Sequence, residues 1–378
     1  MNRRTISLGL STVCLAALGA TGALAQQTTQ EEVAELRARV SQLEAANAAN
    51  SPGLSFGTGN TEVTIYGFVR AEAFYDFDFD QGQSAGFSKI GDPALATGGA
   101  FNTSVRTSRL GVRSKTQTDF GDIGTQFEVD LFGGNAGKPE LRLRHANITI
   151  GDNWLFGQSW SNFMALGHSP TSADFAGPVG TTFARLPQIR YTGHPTEQFQ
   201  YSLSIEENFV SSSEDPIVTA AAQYSTDTYS IRGAVLAGDT TNFDQSAVTL
   251  SGSVKPWTGG YLAMTAVTGE GIASLMNGGA DNFIGGVVND VTGYTVELRQ
   301  DIGEKWNVGF TYGNEDYDVP TIVGALDYVE LESLHVNAFY SPTDNLTLGL
   351  EYIRGERKSS TGQTFSADRV GASITLSF

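Results

Sequence analysis

An alternation of apolar and polar residues with a period of two runs from residue 62 to the end of the chain. No other feature limits the possible folds as strongly. In residues 62–80, EVTIYGFVRAEAFYDFDFD, the odd positions are apolar, aromatic or glycine, and every charge lies at an even position. The same alternation returns in 199–206, 306–312 and 370–378. This period is typical of β-strands with one apolar and one polar face.

We count sixteen such segments in the 378 residues, enough for one large all-β domain. They begin near residues 62, 101, 122, 139, 153, 185, 197, 216, 228, 245, 259, 291, 304, 330, 345 and 366. The eleven prolines lie in the predicted linker, in connections or at segment ends, where strands tolerate them. In residues 142–150, Arg142 and Arg144 share parity with apolar residues, which predicts a β-bulge or apolar side chains in the lumen.

The connections between segments alternate in length. Every second one is a short turn, whereas the intervening stretches are mostly long, such as 81–100, 160–184, 269–290 and 314–329. A soluble β-sandwich has no reason for this alternation, but outer-membrane barrels combine short periplasmic turns with long external loops and an even strand number. The sequence therefore predicts an all-β fold, a 16-stranded antiparallel transmembrane β-barrel over 62–378.

The N-terminus has the pattern of a secretory signal. Arg3 and Arg4 precede an apolar stretch from Ile6 to Leu18, and Ala23-Leu24-Ala25 is a suitable cleavage site. Removal of residues 1–25 changes the formal net charge from −18 to −20 and removes Cys14, the single cysteine. A retained membrane helix is the alternative, and no later run of about 18 apolar residues would span a bilayer as a helix.

Residues 26–50 differ from the rest of the chain because they have a helical period. The apolar positions 33, 36, 40 and 43 follow the spacing of a coiled-coil seam. We expect a periplasmic coiled-coil helix that assists trimerisation, with an amphipathic helix packed on the barrel as the alternative. Residues 51–61 are expected to be a linker. The residues of the proposed trimerising seam are Val33, Leu36, Val40 and Leu43.

The stretch SRLGVRSKTQTDFGD, residues 108–122, carries three cations on one strand face of an acidic chain. In a barrel whose apolar face meets lipid, these cations point into the pore. They could attract anions, or they could pair with Glu72, Glu128 and Asp130 and brace the wall. The predicted pore-lining basic residues are Arg70, Arg109, Arg113, Lys115, Arg142, Arg144, Arg190 and Arg369.

Several stretches resemble the trimeric Gram-negative porins, and most closely the DcaP-like porins named for dicarboxylic acids. They are VTIYGFVRAEAFY, SRLGVRSKTQTDFGD, FGQSWSNFM, PQIRYTG and GLEYIRGERK. The resemblance covers about 350 residues and implies a homotrimer with an N-terminal coiled coil and a third external loop, 160–184, folded into the barrel. It also implies transport of small carboxylates, including aromatic ones.

The predicted constriction loop contains one carboxylate, one histidine and three large apolar residues. These apolar residues could line the constriction or pack the loop against the wall. The candidates are Phe163, Met164, His168, Asp174 and Phe175. The acidic stretches 76–80, 211–215 and 314–318 are expected at or in external loops.

We therefore expect a passive outer-membrane porin of a Gram-negative bacterium that prefers small anionic carboxylates. The alternatives are a general or cation-preferring porin, or a structural tether to the cell wall. The partners expected are two further copies of the chain, outer-membrane lipid and lipopolysaccharide, and small carboxylates. The four histidines are scattered, and no pattern indicates an enzyme, a metal, a cofactor or nucleic-acid binding.

The signal peptide gives a first prediction. Protein isolated from outer membranes should begin at Gln26, because cleavage follows the small residue at position 25. Intact-mass spectrometry measures this directly. Material that still contains residues 1–25 would contradict the signal peptide.

Overall fold

The structure is a computed structural model that describes residues 53–210, 213, 215–323 and 326–378. The predicted signal peptide, 1–25, and the predicted helix, 26–50, lie outside the described residues. The described part contains no helix long and apolar enough to cross a membrane. Its only helical pieces are two short 3₁₀ turns, Phe87–Lys89 and Ala273–Leu275.

The described chain is otherwise built from strands. They are β1 Leu54–Thr58, β2 Thr61–Asp76, β3 Ala100–Ser104, β4 Arg109–Thr118, β5 Gly121–Asn135, β6 Lys138–Ile150, β7 Trp154–Trp160, β8 Arg185–Gly193, β9 Phe199–Glu206, β10 Ile217–Ser225, β11 Tyr229–Asp239, β12 Asp244–Val254, β13 Gly260–Glu270, β14 Phe283–Ile284, β15 Val287–Val288, β16 Asp290–Ile302, β17 Trp306–Val323, β18 Leu326–Thr343, β19 Leu346–Lys358 and β20 Thr364–Ser377. All except β14 and β15 belong to one antiparallel sheet.

This sheet closes on itself where the first long strand meets the last. β2 pairs with β20 from Phe68↔Ser377 to Asp76↔Arg369. Gly67 and Phe378 exchange two backbone hydrogen bonds, of 3.1 and 3.0 Å. β3 and β4 both pair with β2 and form two halves of one barrel strand, so the barrel has sixteen strands, as predicted. β1 lies within the predicted linker 51–61 and pairs with the first residues of β2.

The predicted segments agree closely with the observed strands. Each begins within four residues of a barrel strand. The prediction of a loop over 314–329 was wrong, because β17 and β18 continue as a paired hairpin to Val323 and Leu326. Pro320 therefore lies inside a strand, at the place where the register shifts between Asp316 and Thr321. Beyond Asp316 the two strands still pair with each other. Their sequence, however, no longer alternates apolar and polar residues.

The irregular segment in β6 contains the expected bulge. Glu128 pairs with His145, and the next residue of β5, Val129, pairs with Leu143, so Arg144 is the extra residue. Arg144 and His145 are consequently both buried, whereas Leu143 is exposed. The bulge confirms the sequence prediction and brings the side chain of Arg144 into the interior.

The outer wall has the apolar surface expected of a barrel in lipid. Val69, Leu110 and Leu203 are among the exposed apolar residues, each at least half exposed. Aromatic rings pack in pairs at the end of the barrel that has the short turns. Examples are Trp154 with Tyr191 at 5.0 Å and Trp306 with Tyr340 at 4.6 Å. Such rings form the girdle that outer-membrane barrels place at the membrane interface.

Three connections at the opposite end contribute to an apolar cluster inside the barrel. They are residues 77–99, 161–184 and 271–289. Each connection contributes buried apolar side chains to this cluster, for example Phe87, Phe163 and Ile272. The other members lie on β8 and on strands from β10 to β20. In the described part of the chain, none of its fully buried members lies on β2 to β7. The apolar packing therefore occupies one side of the interior.

The loop 161–184 is held on this side by carboxylates that project from the wall. Its backbone N–H groups donate to them, and charged acceptors make such bonds strong. The bonds are Asn162 to Glu206 at 2.9 Å, Thr171 to Glu297 at 2.9 Å, Asp174 to Glu351 at 2.7 Å and Gly180 to Glu315 at 2.8 Å. Glu315 was expected in an external acidic loop, but it is fully buried because it binds this loop.

Gly180 lies where the loop approaches the wall most closely, and this gives a second prediction. Its φ is +91°, and a Cβ atom there would collide with the carbonyl oxygen of Tyr294. Gly180→Ala should displace the loop and make the open-channel current noisier in planar-bilayer recordings. The barrel should still migrate as a folded band in unheated gels.

Gly177→Ala is the matched control for this change. Gly177 also has positive φ, +68°, but open space surrounds its missing Cβ. Both alanines should cost about 1–2 kcal/mol in backbone strain. Equal current noise in the two variants would show that close packing at Gly180 does not hold the loop.

Candidate functional site

Six arginines lie on the part of the wall that runs from the β3–β4 link to the start of β8, which borders the loop 161–184. One of them lies in the short link between β3 and β4, one begins β8, and the others lie on β4 and β6. We call them the arginine cluster: Arg106, Arg109, Arg113, Arg142, Arg144 and Arg185. Four of the six were predicted from the sequence as pore-lining residues.

Two buried carboxylates on β5 lie among these arginines. Arg144 donates to Glu128 at 2.7 Å and to Asp130 at 3.1 Å. Arg142 binds both oxygens of Asp130, at 3.0 and 2.6 Å, and Arg109 lies 3.5 Å from Glu128. Three of the six guanidinium groups pair with these two carboxylates, and the other three have no carboxylate within ion-pair distance among the described residues, so the six cations exceed the two anions by four charges.

Aromatic rings, instead of carboxylates, support several of the guanidinium groups. Arg113 lies 4.3 Å from the centre of the Tyr66 ring, and Arg106 lies 4.4 Å from that of Phe132. Arg113 has no carboxylate within ion-pair distance among the described residues. Stacking on a ring fixes the plane of a guanidinium group but does not neutralise its charge. These cations therefore stay oriented and charged.

The other predicted basic residues brace the structure. Arg70 pairs with Glu72 at 3.0 Å and donates to the carbonyl of Ala173 in the loop. Lys115 forms an exposed pair with Asp122 at 2.7 Å, near a short turn. Each of these cations has a carboxylate partner within the barrel, so it adds little to the local charge.

Arg190 and Arg369 are also held by neighbouring groups. Arg190 donates to the side chain of Gln188 at 2.8 Å and to the carbonyl of Trp160 at 2.6 Å. Arg369 is fully buried between Asp76 and Asp174, each at 3.1 Å. Asp76, which was expected at an external loop, is therefore part of the barrel interior.

The loop candidates divide into buried residues and one residue at the arginine cluster. Phe163 and Met164 are buried against the wall. Phe175 stacks on Phe132 at 4.2 Å and lies 5.3 Å from the guanidinium of Arg142. Of the three apolar candidates, Phe175 is therefore the one that contacts the arginine cluster.

His168 and Asp174 hold the loop in position. The imidazole of His168 lies 2.8 Å from the hydroxyl of Ser251. Burial, together with the charge of Arg232, lowers the pKa of His168 to about 4, so this loop residue is neutral at neutral pH. Asp174 accepts a hydrogen bond from the backbone of Ala85 at 3.0 Å and thereby joins two of the inward connections.

Sequence reasoning missed five arginines of the described interior, among them Arg299, which donates to the hydroxyl of Thr171 in the loop, and Arg357, which is fully buried. Arg185 follows the predicted loop by one residue, and Arg106 lies in the break between β3 and β4. Arg232 on β11 donates to the carbonyl of Asn162 at 2.7 Å and anchors the loop. The alternation of β11 places Arg232 inward, but its inward neighbours Ala234 and Leu236 are apolar and obscure the polar face.

A protein-family model described as DcaP outer membrane protein matches residues 25–214. The match includes β1 to β9, the loop 161–184 and the whole arginine cluster. No curated relative matches this chain.

Solved structures give a consistent comparison. The outer membrane channel DcaP of Acinetobacter baumannii is 25% identical, with a TM-score of 0.77, over 86% of this chain and 99% of that chain. An anion-selective porin from Comamonas acidovorans is 14% identical, with a TM-score of 0.59, over 84% and 100%. The trimer form of OmpT from Vibrio cholerae is 12% identical, with a TM-score of 0.56, over 85% and 100%. The last two share the fold alone.

Proposed function

Because this chain belongs to the DcaP outer membrane protein family, we propose that its channel prefers small anionic solutes with carboxylate groups. Membership of the family and the closed barrel make the protein an outer-membrane channel.

The excess positive charge of the arginine cluster is the observation that supports an anion preference. Among the described residues, three of its six guanidinium groups pair with Glu128 and Asp130, and the other three have no carboxylate within ion-pair distance. Charge acts strongly on a solute at short range inside a pore, where little water separates the two. An anion that passes the loop 161–184 would therefore be attracted on the side of the arginine cluster.

The net charge of the chain, −18, does not oppose this proposal. Exposed charges farther away than about 8 Å are largely screened at physiological ionic strength. The interior carboxylates Glu297, Glu315 and Glu351 lie on β16, β17 and β19, away from the strands of the arginine cluster, where they accept backbone N–H groups of the loop. The local excess near the loop is therefore expected to decide the selectivity.

A carboxylate fits this site better than a spherical anion does. The planar fork of a guanidinium group can donate two parallel hydrogen bonds to the two oxygens of a carboxylate. Rings such as Tyr66 and Phe132 fix the plane of the fork before a solute arrives. The porin from Comamonas acidovorans, which is anion-selective, shares the barrel fold.

Reversal potentials in a potassium chloride gradient test the proposal. The wild-type channel should favour chloride over potassium. Arg113→Gln should lower that preference by up to about fivefold, the factor for a unit charge at roughly 4 Å in water. Arg113 is chosen because it has no carboxylate partner among the described residues.

Arg354→Gln is the matched control, because Arg354 carries the same charge but faces outward and pairs with Glu356 at 3.2 Å. Its substitution should leave the reversal potential unchanged. A wild-type channel that favours potassium would refute the anion preference and support a general or cation-preferring porin. An absence of any conductance would favour a structural tether.

We also propose that three copies of the chain assemble, with residues 26–50 assisting. The trimer form of Vibrio cholerae OmpT has the same fold. Hydroxyl pairs on the outer wall, Ser114 with Thr125 at 2.7 Å and Thr61 with Thr116 at 2.9 Å, suit contact with protein better than contact with lipid.

Deletion of residues 26–50 tests the assembly. The full-length protein in detergent should have the mass of three chains by light scattering. The deleted form should give a lower yield of trimer but the same conductance per channel, because the barrel alone forms the pore. An unchanged trimer yield would contradict a role for the helix, and a monomeric full-length protein would contradict the trimer.

A further inference from the structure

The second half of the loop 161–184 is bound by another of the inward connections, residues 271–289. Thr182 and Met276 form an isolated antiparallel bridge between the two segments. The two loops therefore pair as short strands do, and we call this pairing of residues 176–183 with residues 275–278 the interloop contact. Two backbone hydrogen bonds flank the bridge: Phe183 to Leu275 at 2.8 Å and Asn277 to Thr181 at 2.9 Å.

The side chain of Asn277 extends the interloop contact along the loop. Its amide nitrogen donates to the carbonyl of Ala176 at 2.6 Å and to that of Pro178 at 2.8 Å, and the carbonyl oxygen of Gly177 lies 3.4 Å away. An asparagine amide has two N–H donors, so it can bind two carbonyl groups at once. Asn277 therefore binds a stretch of the loop that lies outside every described strand and helix.

Glu315 and apolar packing join the same two segments. The Glu315 carboxylate accepts a hydrogen bond from the backbone of Gly180 at 2.8 Å and another from that of Gly278 at 3.0 Å. Val179 and Met276 are both buried members of the internal apolar cluster. Separation of the two loops would expose apolar side chains and leave buried polar groups without partners, and both effects oppose it.

The interloop contact lies next to the loop residue that meets the arginine cluster. Ala176, whose carbonyl binds Asn277, directly follows Phe175, whose ring contacts that cluster. Wall carboxylates bind the loop backbone at Asp174 and at Gly180. Between these two points, the amide of Asn277 contacts three carbonyl groups of the loop. The position of Phe175 therefore depends on a residue of a different loop.

We propose that the connection 271–289 holds the second half of the loop 161–184 out of the pore, and that Asn277 is the positioning residue through which it does so. Asn277 acts on the backbone of the loop and not by contact with a solute. When the interloop contact breaks, residues 175–179 move into the pore and close it in part. The connection 271–289 thus links the external end of the barrel to the constriction.

Open-channel recordings in planar bilayers test the proposal. Asn277→Asp keeps the shape of the side chain but places an oxygen, in place of the amide donor, against carbonyl oxygens. It should raise the frequency of brief partial closures roughly 25-fold, about fivefold for each of the two shorter hydrogen bonds lost. Closures are counted whichever ion carries the current, so the result does not depend on the proposed anion preference.

Asn282→Asp is the matched control within the same connection. The described contacts of the Asn282 side chain are with Ser274, whose backbone N–H donates to it at 2.8 Å and whose hydroxyl accepts from it at 2.8 Å. A carboxylate can accept from both groups, because the serine hydroxyl can turn and donate. This variant adds the same charge but should leave the closures at the wild-type frequency. Both variants should migrate as folded bands in unheated gels.

A disulfide across the bridge tests whether Asn277 acts by joining the two loops. Thr182 and Met276 form the close, non-hydrogen-bonded type of antiparallel pair, with Cα atoms about 4.5 Å apart, which suits a disulfide. The predicted mature chain has no cysteine, since Cys14 lies in the predicted signal peptide. Thr182→Cys/Met276→Cys in the Asn277→Asp background should show few closures after oxidation with copper phenanthroline. Closures should become frequent again when a reductant is added to the same bilayer.

Each outcome supports or overturns the assignment. A wild-type closure frequency in Asn277→Asp would refute the role of Asn277, and an equal rise in Asn282→Asp would show that added charge disturbs the loop. Closures that persist after oxidation, or cysteines that stay reduced, would show that the connection 271–289 does not hold the loop. If Asn277→Asp does not assemble, Asn277→Ala removes the donors without adding charge and replaces it in both tests.

Discussion

The pairing of β2 with β20 is the interaction on which the rest of the structure depends. A chain in lipid must satisfy every backbone polar group within itself, and a sheet does so only when it closes without an edge. The hydrogen bonds between Gly67 and Phe378 complete that closure. Because the outer wall carries apolar side chains, the charged side chains of the strands are accommodated in the interior.

Negative and positive side chains lie on different sides of the interior and have different partners. On one side, Glu206, Glu297, Glu315 and Glu351 bind the backbone of the loop 161–184, so their negative charge is used to fix a segment of chain. On the other side, the arginine cluster has only Glu128 and Asp130 to share. An acidic protein can thus contain a strongly positive surface inside its channel.

Aromatic residues make this imbalance tolerable. A carboxylate partner largely cancels the electric field of a cation, whereas stacking on an aromatic ring leaves that field in place. Tyr66, Phe132 and Trp160 lie against five of the six arginines, and Phe175 of the loop adds a further ring. The same rings restrict the orientation of the guanidinium forks, so a site for carboxylates needs little reorganisation when a solute enters.

The sequence by itself determined the barrel, because a period of two repeated over sixteen segments requires strands with one face in lipid. It also indicated the bulge beside Arg144, since the parity of β6 fails there. It did not reveal the hairpin of β17 and β18, whose strands pair beyond the alternating pattern, or the buried role of Glu315. The coiled-coil prediction for 26–50 lies outside the described residues.

Only the tertiary structure decided which arginines keep their charge available. Parity predicts that Arg113 and Arg369 both face inward, yet one stacks on Tyr66 and the other lies buried between Asp76 and Asp174. Arg185 had no pattern to mark it. Its aromatic neighbours, Trp160 and Phe183, are brought to it by strand pairing and by the return of a loop into the barrel. Ion pairing depends on the distances between side chains on different strands and loops. These distances cannot be read from the order of residues along one strand.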